Sequence, residues 1–133
     1  MRILITPWAL DSYLSLRDAG VISREVMMQT LRPDILLLRE RISHPRFQES
    51  HFWGPAQDRK GEVIPKGFKM KWRNVGNGLV QLRLCVALVR DDAWLCHGYV
   101  KTSPQGDLAE AAKLNWRIFQ IEAGNIHPKG ELR

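Results

Sequence analysis

The sequence has only two cysteines, no long apolar run and, over one basic stretch, almost no acidic residue. The two cysteines, Cys85 and Cys96, are too few for a disulfide framework, and no CxxC pair or His/Cys cluster provides metal-ligand spacing. We therefore expect a reducing compartment, two buried free thiols and no bound metal. The alternative is that Cys85 and Cys96 approach each other across a hairpin.

Membrane and secretion signals are also missing. No apolar run approaches the roughly 20 residues that cross a bilayer, and the start, Met-Arg-Ile-Leu-Ile-Thr-Pro, lacks a signal-peptide core and a cleavage site. We expect a cytoplasmic protein without a membrane partner or a cofactor. A chain of 133 residues is of a size for one domain, residues 1–133, with its own core.

Positive charge is concentrated between residues 59 and 90. This window has eight lysines and arginines and a single acid, Glu62, whereas the whole chain has a net charge of +6. The rest of the chain is therefore close to neutral. Such a concentration favours a polyanionic partner, either nucleic acid or an acidic protein segment. The alternative is a solvated sheet edge whose lysines prevent strand-to-strand aggregation.

Residues 78–102 have the clearest periodicity in the chain. Even positions from Val80 to Leu88 are apolar, which predicts a strand with one buried face, and 94–101 reads as a returning strand. A two-residue loop at Asp91-Asp92 would place Val86 opposite His97 and Leu84 opposite Tyr99. A one-residue change in the loop would place His97 and Tyr99 opposite Cys85 and Arg83 instead. The sequence leaves both registers open.

The remaining pattern predicts an α+β fold. Thr6 and Pro7 are typical of a helix start, and Pro33 predicts either two helices or one kinked helix in the next apolar-periodic segment. Asp107, with Glu110 three residues on, predicts the start of the last helix. The expected order is a strand at 2–6, a helix at 7–18, helical residues 23–42, a loop at about 44–67, a three-stranded antiparallel meander (68–73, 79–90 and 93–101), a helix at 107–121 and a loose tail at about 125–133.

The first strand of the meander alternates strictly between apolar and basic residues. Phe68, Met70 and Trp72 share one side, and Lys69, Lys71 and Arg73 share the other. Interleaving of lysine, arginine and tryptophan favours a polyanionic partner, either nucleic acid or an acidic protein segment, over a merely solvated edge.

Two stretches of this pattern resemble the RelE/ParE toxin superfamily, most closely its HigB-like, phage-derived branch. They are VQLRL at 80–84 and LCHGYVKT at 95–102, followed by a helix that begins DLAEAAKL. The likeness covers residues 79–121 well, and the N-terminal half only by the order of its elements. The long 44–67 segment and Pro33 depart from that family's pattern.

The resemblance implies the toxin component of a type II toxin–antitoxin system. Such a toxin is a metal-independent endoribonuclease that cuts mRNA, usually on the ribosome, and is inhibited by a cognate antitoxin protein. On this basis the catalytic candidates are His97, Tyr99, Arg83 and Lys101. The RNA-binding candidates are Lys66, Lys69, Lys71 and Arg73.

Other interpretations remain open at this point. The basic strand fits a non-catalytic nucleic-acid-binding or phage accessory protein, or a module that binds an acidic peptide. His97 is equally suited to be a core histidine, if the hairpin register buries it.

Overall fold

A six-stranded sheet runs through the molecule and has helices on both faces. The structure is a computed structural model that describes all residues, 1–133. The strand order is β2-β3-β4-β5-β1-β6, with β1 parallel to β5 and every other pair antiparallel. The strands are β1 (Ile3–Ile5), β2 (Trp53–Gln57), β3 (Val63–Val75), β4 (Val80–Val89), β5 (Asp92–Val100) and β6 (Gly130–Glu131). The helices are α1 (Pro7–Asp18), α2 (Arg24–Val26), α3 (Arg32–Leu36) and α4 (Pro104–Glu122).

The α+β class is confirmed, but the sheet has more strands than the sequence predicted. The meander β3–β4–β5 is extended by β2 on one side and by β1 and β6 on the other. Two hydrophobic clusters follow from this layout. One joins α1 and residues 22–38 to one face of the sheet, and the other joins α4 to the opposite face. Because α4 covers the second face, the small odd-numbered residues Cys85 and Ala87 of β4 are as buried as their apolar neighbours.

The β4–β5 hairpin turns at Arg90-Asp91, not at Asp91-Asp92 as the first register required. Both turn residues have positive φ, 50° and 62°, which a two-residue turn matching the twist of its strands requires. An irregularity then adds one residue to β5 between Leu95 and His97. As a result His97 lies opposite Cys85, and Tyr99 lies opposite Arg83. His97 and Tyr99 therefore have the partners of the second register, but a bulge in β5 and not a change in loop length produces them. Between the turn and Leu95 the pairing matches neither predicted register.

The segment from Arg24 to Glu40 stays helical past Pro33. It passes from α2 through a π-helical turn at Met27–Leu31 into α3 and ends in a 3-10 turn. The Arg32 N–H donates to the Met27 carbonyl, five residues back. Pro33 has no backbone N–H to donate, and the wider hydrogen-bond spacing of the π-helical turn lets the helix continue without that bond. Neither the predicted break nor a separate helix therefore occurs.

The predicted loop at 44–67 is wrong, because most of it is ordered secondary structure. Residues 45–48 form a 3-10 turn, β2 occupies 53–57, and β3 begins at Val63. Trp53 stacks on Phe68 with 5.0 Å between ring centroids, which attaches β2 to β3. The sequence hid this strand because it contains Gly54 and Pro55. Both are tolerated here, since β2 is an edge strand with one side unpaired.

The predicted loose tail at 125–133 is also wrong at its end. β6 pairs with β1, and the backbone N–H groups of Lys129 and Leu132 donate to Ile5 (2.7 Å) and Ile3 (2.8 Å). Arg39 donates to the Leu132 carbonyl at 2.6 Å. A strand of two residues is too short to show a periodic pattern in the sequence. β6 forms because the edge of β1 is free to pair with it.

The last helix begins three residues before the predicted cap. Ser103 is the N-cap, its hydroxyl accepts the Gly106 N–H at 3.0 Å, and Pro104 is the first helical residue. Asp107 therefore lies within the first turn, where its carboxylate is free to bond to the sheet.

Candidate nucleic-acid interface

An open polar cleft lies where the β3–β4 turn approaches the start of α4. We call it the basic cleft. Its cations are Arg73, Arg83 and Lys101, and it contains no acidic side chain; the other lining residues are Asn74, Gln81, Thr102, Ser103 and Pro104. The N-terminus of α4 opens onto it, and helix N-termini present backbone N–H groups and partial positive charge. The three cations, without an acidic side chain in the lining, therefore favour an anion.

Arg83 is the unusual residue of this cleft. Only 8% of its surface is exposed, yet its guanidinium forms no ion pair, and its only hydrogen bond goes to the Leu82 carbonyl at 3.1 Å. Burial lowers the pKa of this guanidinium, with the nearby Asp107 opposing the shift. Arginine nevertheless stays charged in proteins, and buried arginines are normally paired. An unpaired buried charge next to an open cleft points to an anionic ligand.

The strand register places the sequence-predicted residues in two parallel rows on the α4 face. Lys69 pairs with Cys85, which pairs with His97; Lys71 pairs with Arg83, which pairs with Tyr99. Neighbours in such a row have Cβ atoms about 5 Å apart. The second row leads to the basic cleft, whereas the first runs beneath α4.

Two residues of these rows bind Asp107 of α4. The Lys69 ammonium lies 2.8 Å from one carboxylate oxygen of Asp107, and the Tyr99 hydroxyl donates to the other. Burial, and then the charges and hydrogen bond around it, raise the pKa of Tyr99 far above its usual value, so the phenol stays protonated. Lys69 and Tyr99 thus fix the start of α4 onto the sheet, and both are only partly exposed.

His97 lies outside the basic cleft. It is 3% exposed and opens onto a separate polar cleft between α1 and α4. Its Nε2 atom lies 3.2 Å from the Glu110 carboxylate, but neither ring nitrogen has hydrogen-bond geometry to any group. Burial lowers the pKa of His97 to about 3, with the positive charge of Arg117 acting in the same direction. The ring is therefore neutral at pH 7 and is a weak base.

The buried His97 should make folding stability depend on pH in mildly acidic solution. Unfolding restores the ordinary pKa of 6.5, so below that pH the unfolded chain binds a proton that the folded chain excludes. We expect the free energy of unfolding to fall by about 1 kcal/mol per pH unit between pH 6.5 and about 5. Urea denaturation across this window measures it, with His97→Gln as the comparison. A slope that is the same in both proteins would contradict the burial of His97.

The two remaining RNA-binding candidates, Lys71 and Lys66, lie near opposite ends of α4. The Lys71 ammonium bonds to the Ser50 carbonyl at 3.0 Å, and burial, followed by repulsion from Lys69 and Arg83, lowers the pKa of Lys71. Lys66 pairs with Glu122 at 2.8 Å, at the far end of α4 from the basic cleft. The structure therefore brings Lys71 close to Arg83, and leaves Lys66 apart.

Several cleft residues were not singled out from the sequence. Asn74 and Gln81 come from β3 and β4, and Thr102 and Ser103 precede α4. The Ser103-Pro104 pair is a helix-start signal that would have placed the N-terminus of α4 here. Asn74 and Gln81 carry no such signal, since only the pairing of β3 with β4 brings them together.

Comparison with known proteins gives no relative to argue from. No protein-family model, curated protein or solved structure matches this chain.

None of the helices is both long and apolar enough to traverse a membrane. No group of three or more His, Cys, Asp or Glu side chains is arranged to hold a metal ion.

Proposed function

We propose that this protein binds RNA through the basic cleft and acts as a RelE-like toxin, a metal-independent endoribonuclease that cuts mRNA on the ribosome in the cytoplasm and is inhibited by a cognate antitoxin. The observation that carries the RNA-binding part is the unpaired, buried Arg83, flanked by Arg73 and Lys101. Three cations without an acid form a phosphate-binding surface, and phosphate contacts supply most of the affinity of nucleic-acid binding.

The element order supports the RelE-like layout. A strand and two helical segments precede the antiparallel strands, and a helix follows them. β2 and β6 are additions to the layout that the resemblance implies. The likeness at residues 80–84 and 95–102 falls on β4 and β5, the two strands that carry Arg83 and lead into Lys101.

Cleavage by this chemistry needs three groups. They are an acceptor for the 2′-hydroxyl proton, cations for the charge on the phosphate, and a proton donor for the 5′ oxygen. The 2′ oxygen bonds to the adjacent phosphorus while the bond from phosphorus to the 5′ oxygen breaks, which leaves a 2′,3′-cyclic phosphate. Water in the open cleft would donate the proton to the departing 5′ oxygen. Arg83 and Lys101 would stabilise the negative charge that develops on the phosphate. Lys71 lies opposite Arg83 and its pKa is lowered, chiefly by burial, so once deprotonated it would be a candidate to accept the 2′-hydroxyl proton. His97 lies outside the basic cleft, beneath α4. Tyr99 would act indirectly, by holding α4 in place.

A second function, RNA binding without cleavage, is favoured by a specific observation. The two sequence-predicted proton-transfer groups are occupied or inaccessible: Tyr99 donates to Asp107, and His97 is buried. A nucleic-acid-binding protein needs only the cations of the basic cleft. This alternative predicts the same binding and the same salt dependence as the toxin, and no broken RNA.

The two functions separate in one experiment with purified protein, ribosomes and a labelled mRNA. A ribonuclease toxin should produce fragments ending in 2′,3′-cyclic phosphate in the presence of EDTA, and 2′-O-methylation of the scissile nucleotide should block cleavage. Expression of the chain alone should also arrest growth, with rescue by the antitoxin. Salt-sensitive binding with intact mRNA would instead establish the non-catalytic function, and the absence of both would overturn the proposal.

A further inference from the structure

A deep apolar cavity lies on the face of the sheet opposite to α4. Its volume is about 270 Å³, and 15 of its 19 lining residues are hydrophobic. α1, the π-helical turn and α3 form one wall, and Trp72, Leu82, Leu84 and Leu95 of the sheet form the other. Met28 and Leu10, both part-exposed, lie at its open side.

The size of the cavity argues against an ordinary packing defect. Protein interiors have few voids larger than a water molecule, and an apolar cavity of about 150 Å³ already stays dry and binds benzene. By that comparison this cavity accommodates an apolar group of roughly ten carbon atoms. Water inside it would find almost no hydrogen-bonding partner, since its lining is nearly all apolar.

One charged side chain of the helical segment breaks the apolar lining. Arg32 lines the cavity, is only partly buried, and makes no side-chain hydrogen bond or ion pair. Two residues later Asp34 is fully engaged, because it accepts from Arg46 at 2.5 Å and from Trp72 at 2.8 Å. Arg32 is thus free to meet a carboxylate.

The backbone beside this cavity is also irregular. Met27, Met28 and Leu31 line it, and all three belong to the π-helical turn. Single π turns widen a helix and occur frequently at functional sites. Methionines adapt their shape to different apolar ligands.

We propose that this cavity binds a small amphiphilic carboxylate, with an aliphatic chain of about eight to ten carbons among the apolar residues and its carboxylate on Arg32. The cavity and the basic cleft share only Arg83 among their lining residues and lie on opposite faces of the sheet, so the proposal does not depend on RNA binding. Arg83 also lines the cavity, but it lies in the row of Lys71 and Tyr99 on the α4 face of the sheet, so Arg32 is left as the cation for a head group. A volume of about 270 Å³ with one available cation fits a single small ligand, so we take the occupant to be a free ligand and not a partner protein.

The direct test is a titration of the protein with octanoate, and separately with octanol, followed by methyl NMR of Met27, Met28 and Leu31. Both ligands should give saturable shifts, and octanoate should raise the melting temperature as its concentration rises. Arg32→Gln should weaken octanoate about fivefold and leave octanol unchanged. Arg24→Gln, which removes an arginine of the same helical segment outside the cavity, should change neither.

A cavity-filling variant provides the second measurement. Ala9→Leu places three more carbons in the cavity from α1 and should abolish binding of both ligands while the protein stays folded. If Ala9→Leu unfolds the protein, Met28→Trp at the open side replaces it. The proposal is overturned if the wild-type protein shows no saturable shift with either ligand, or if Arg32→Gln binds octanoate as tightly as the wild type.

Discussion

Replacement of Arg83 by alanine should weaken RNA binding by a factor of about 10 to 100 and slow cleavage by about a hundredfold or more. Arg83 is a buried cation without an acidic partner in the basic cleft, so a bound phosphate would be its only strong interaction. Truncation removes that interaction from the bound RNA and costs the free protein no ion pair. Anisotropy with a 2′-O-methyl RNA measures binding, and unmodified RNA on ribosomes measures cleavage.

A matched control removes the same charge elsewhere. Arg59 is exposed, lies within the basic window of the sequence and has no hydrogen bond. Arg59→Ala should lower RNA affinity no more than about twofold. Equal losses in the two variants would mean that affinity follows net charge and that the basic cleft is not the site.

The largest loss of stability should follow Asp107→Ala. This substitution leaves the Lys69 ammonium, 13% exposed, without a partner, and removes the acceptor of the Tyr99 hydroxyl. Truncating one member of a buried ion pair costs about 3 kcal/mol, and for a chain of this length that corresponds to a fall of about 10 °C in melting temperature. Thermal unfolding followed by circular dichroism measures it.

Two further variants test whether the unpaired charge of Lys69 causes the loss of stability in Asp107→Ala. Glu122→Ala breaks the exposed pair with Lys66, where 48% and 42% of the two side chains are exposed, and should cost less than about 1 kcal/mol. Lys69→Met in the Asp107→Ala background removes the stranded charge and should restore part of the stability. Equal destabilisation by Asp107→Ala and Glu122→Ala would contradict this account of the network.

The regular parts of the fold could be predicted from the sequence because their signals are local. Alternation predicted the strands β3, β4 and β5, and Thr6-Pro7 predicted the start of α1. The basic window between residues 59 and 90, with Glu62 as its single acid, pointed to the strands that carry Arg73 and Arg83. Cys85 and Cys96 are free and buried, as expected.

Other features depend on contacts between distant residues. The irregularity next to Cys96 decides that Tyr99 faces Arg83, and no local signal encodes it. Burial of Lys69 depends on where Asp107 falls in α4, which the choice of Ser103 as the cap determines. Strict alternation at 68–73 therefore predicted that Lys69 and Lys71 share one face of β3, but could not show that Lys69 bonds to the last helix.

The most direct test of the basic cleft is an NMR titration with a 2′-O-methyl RNA tetranucleotide, which binds without being cleaved. We expect the largest shifts at the guanidinium of Arg83 and at the backbone of its cleft neighbours Gln81 and Thr102, with loss of these shifts as salt rises. Shifts centred instead on Lys113 and Arg117, at the cleft that contains His97, or no shifts at low salt, would contradict the account.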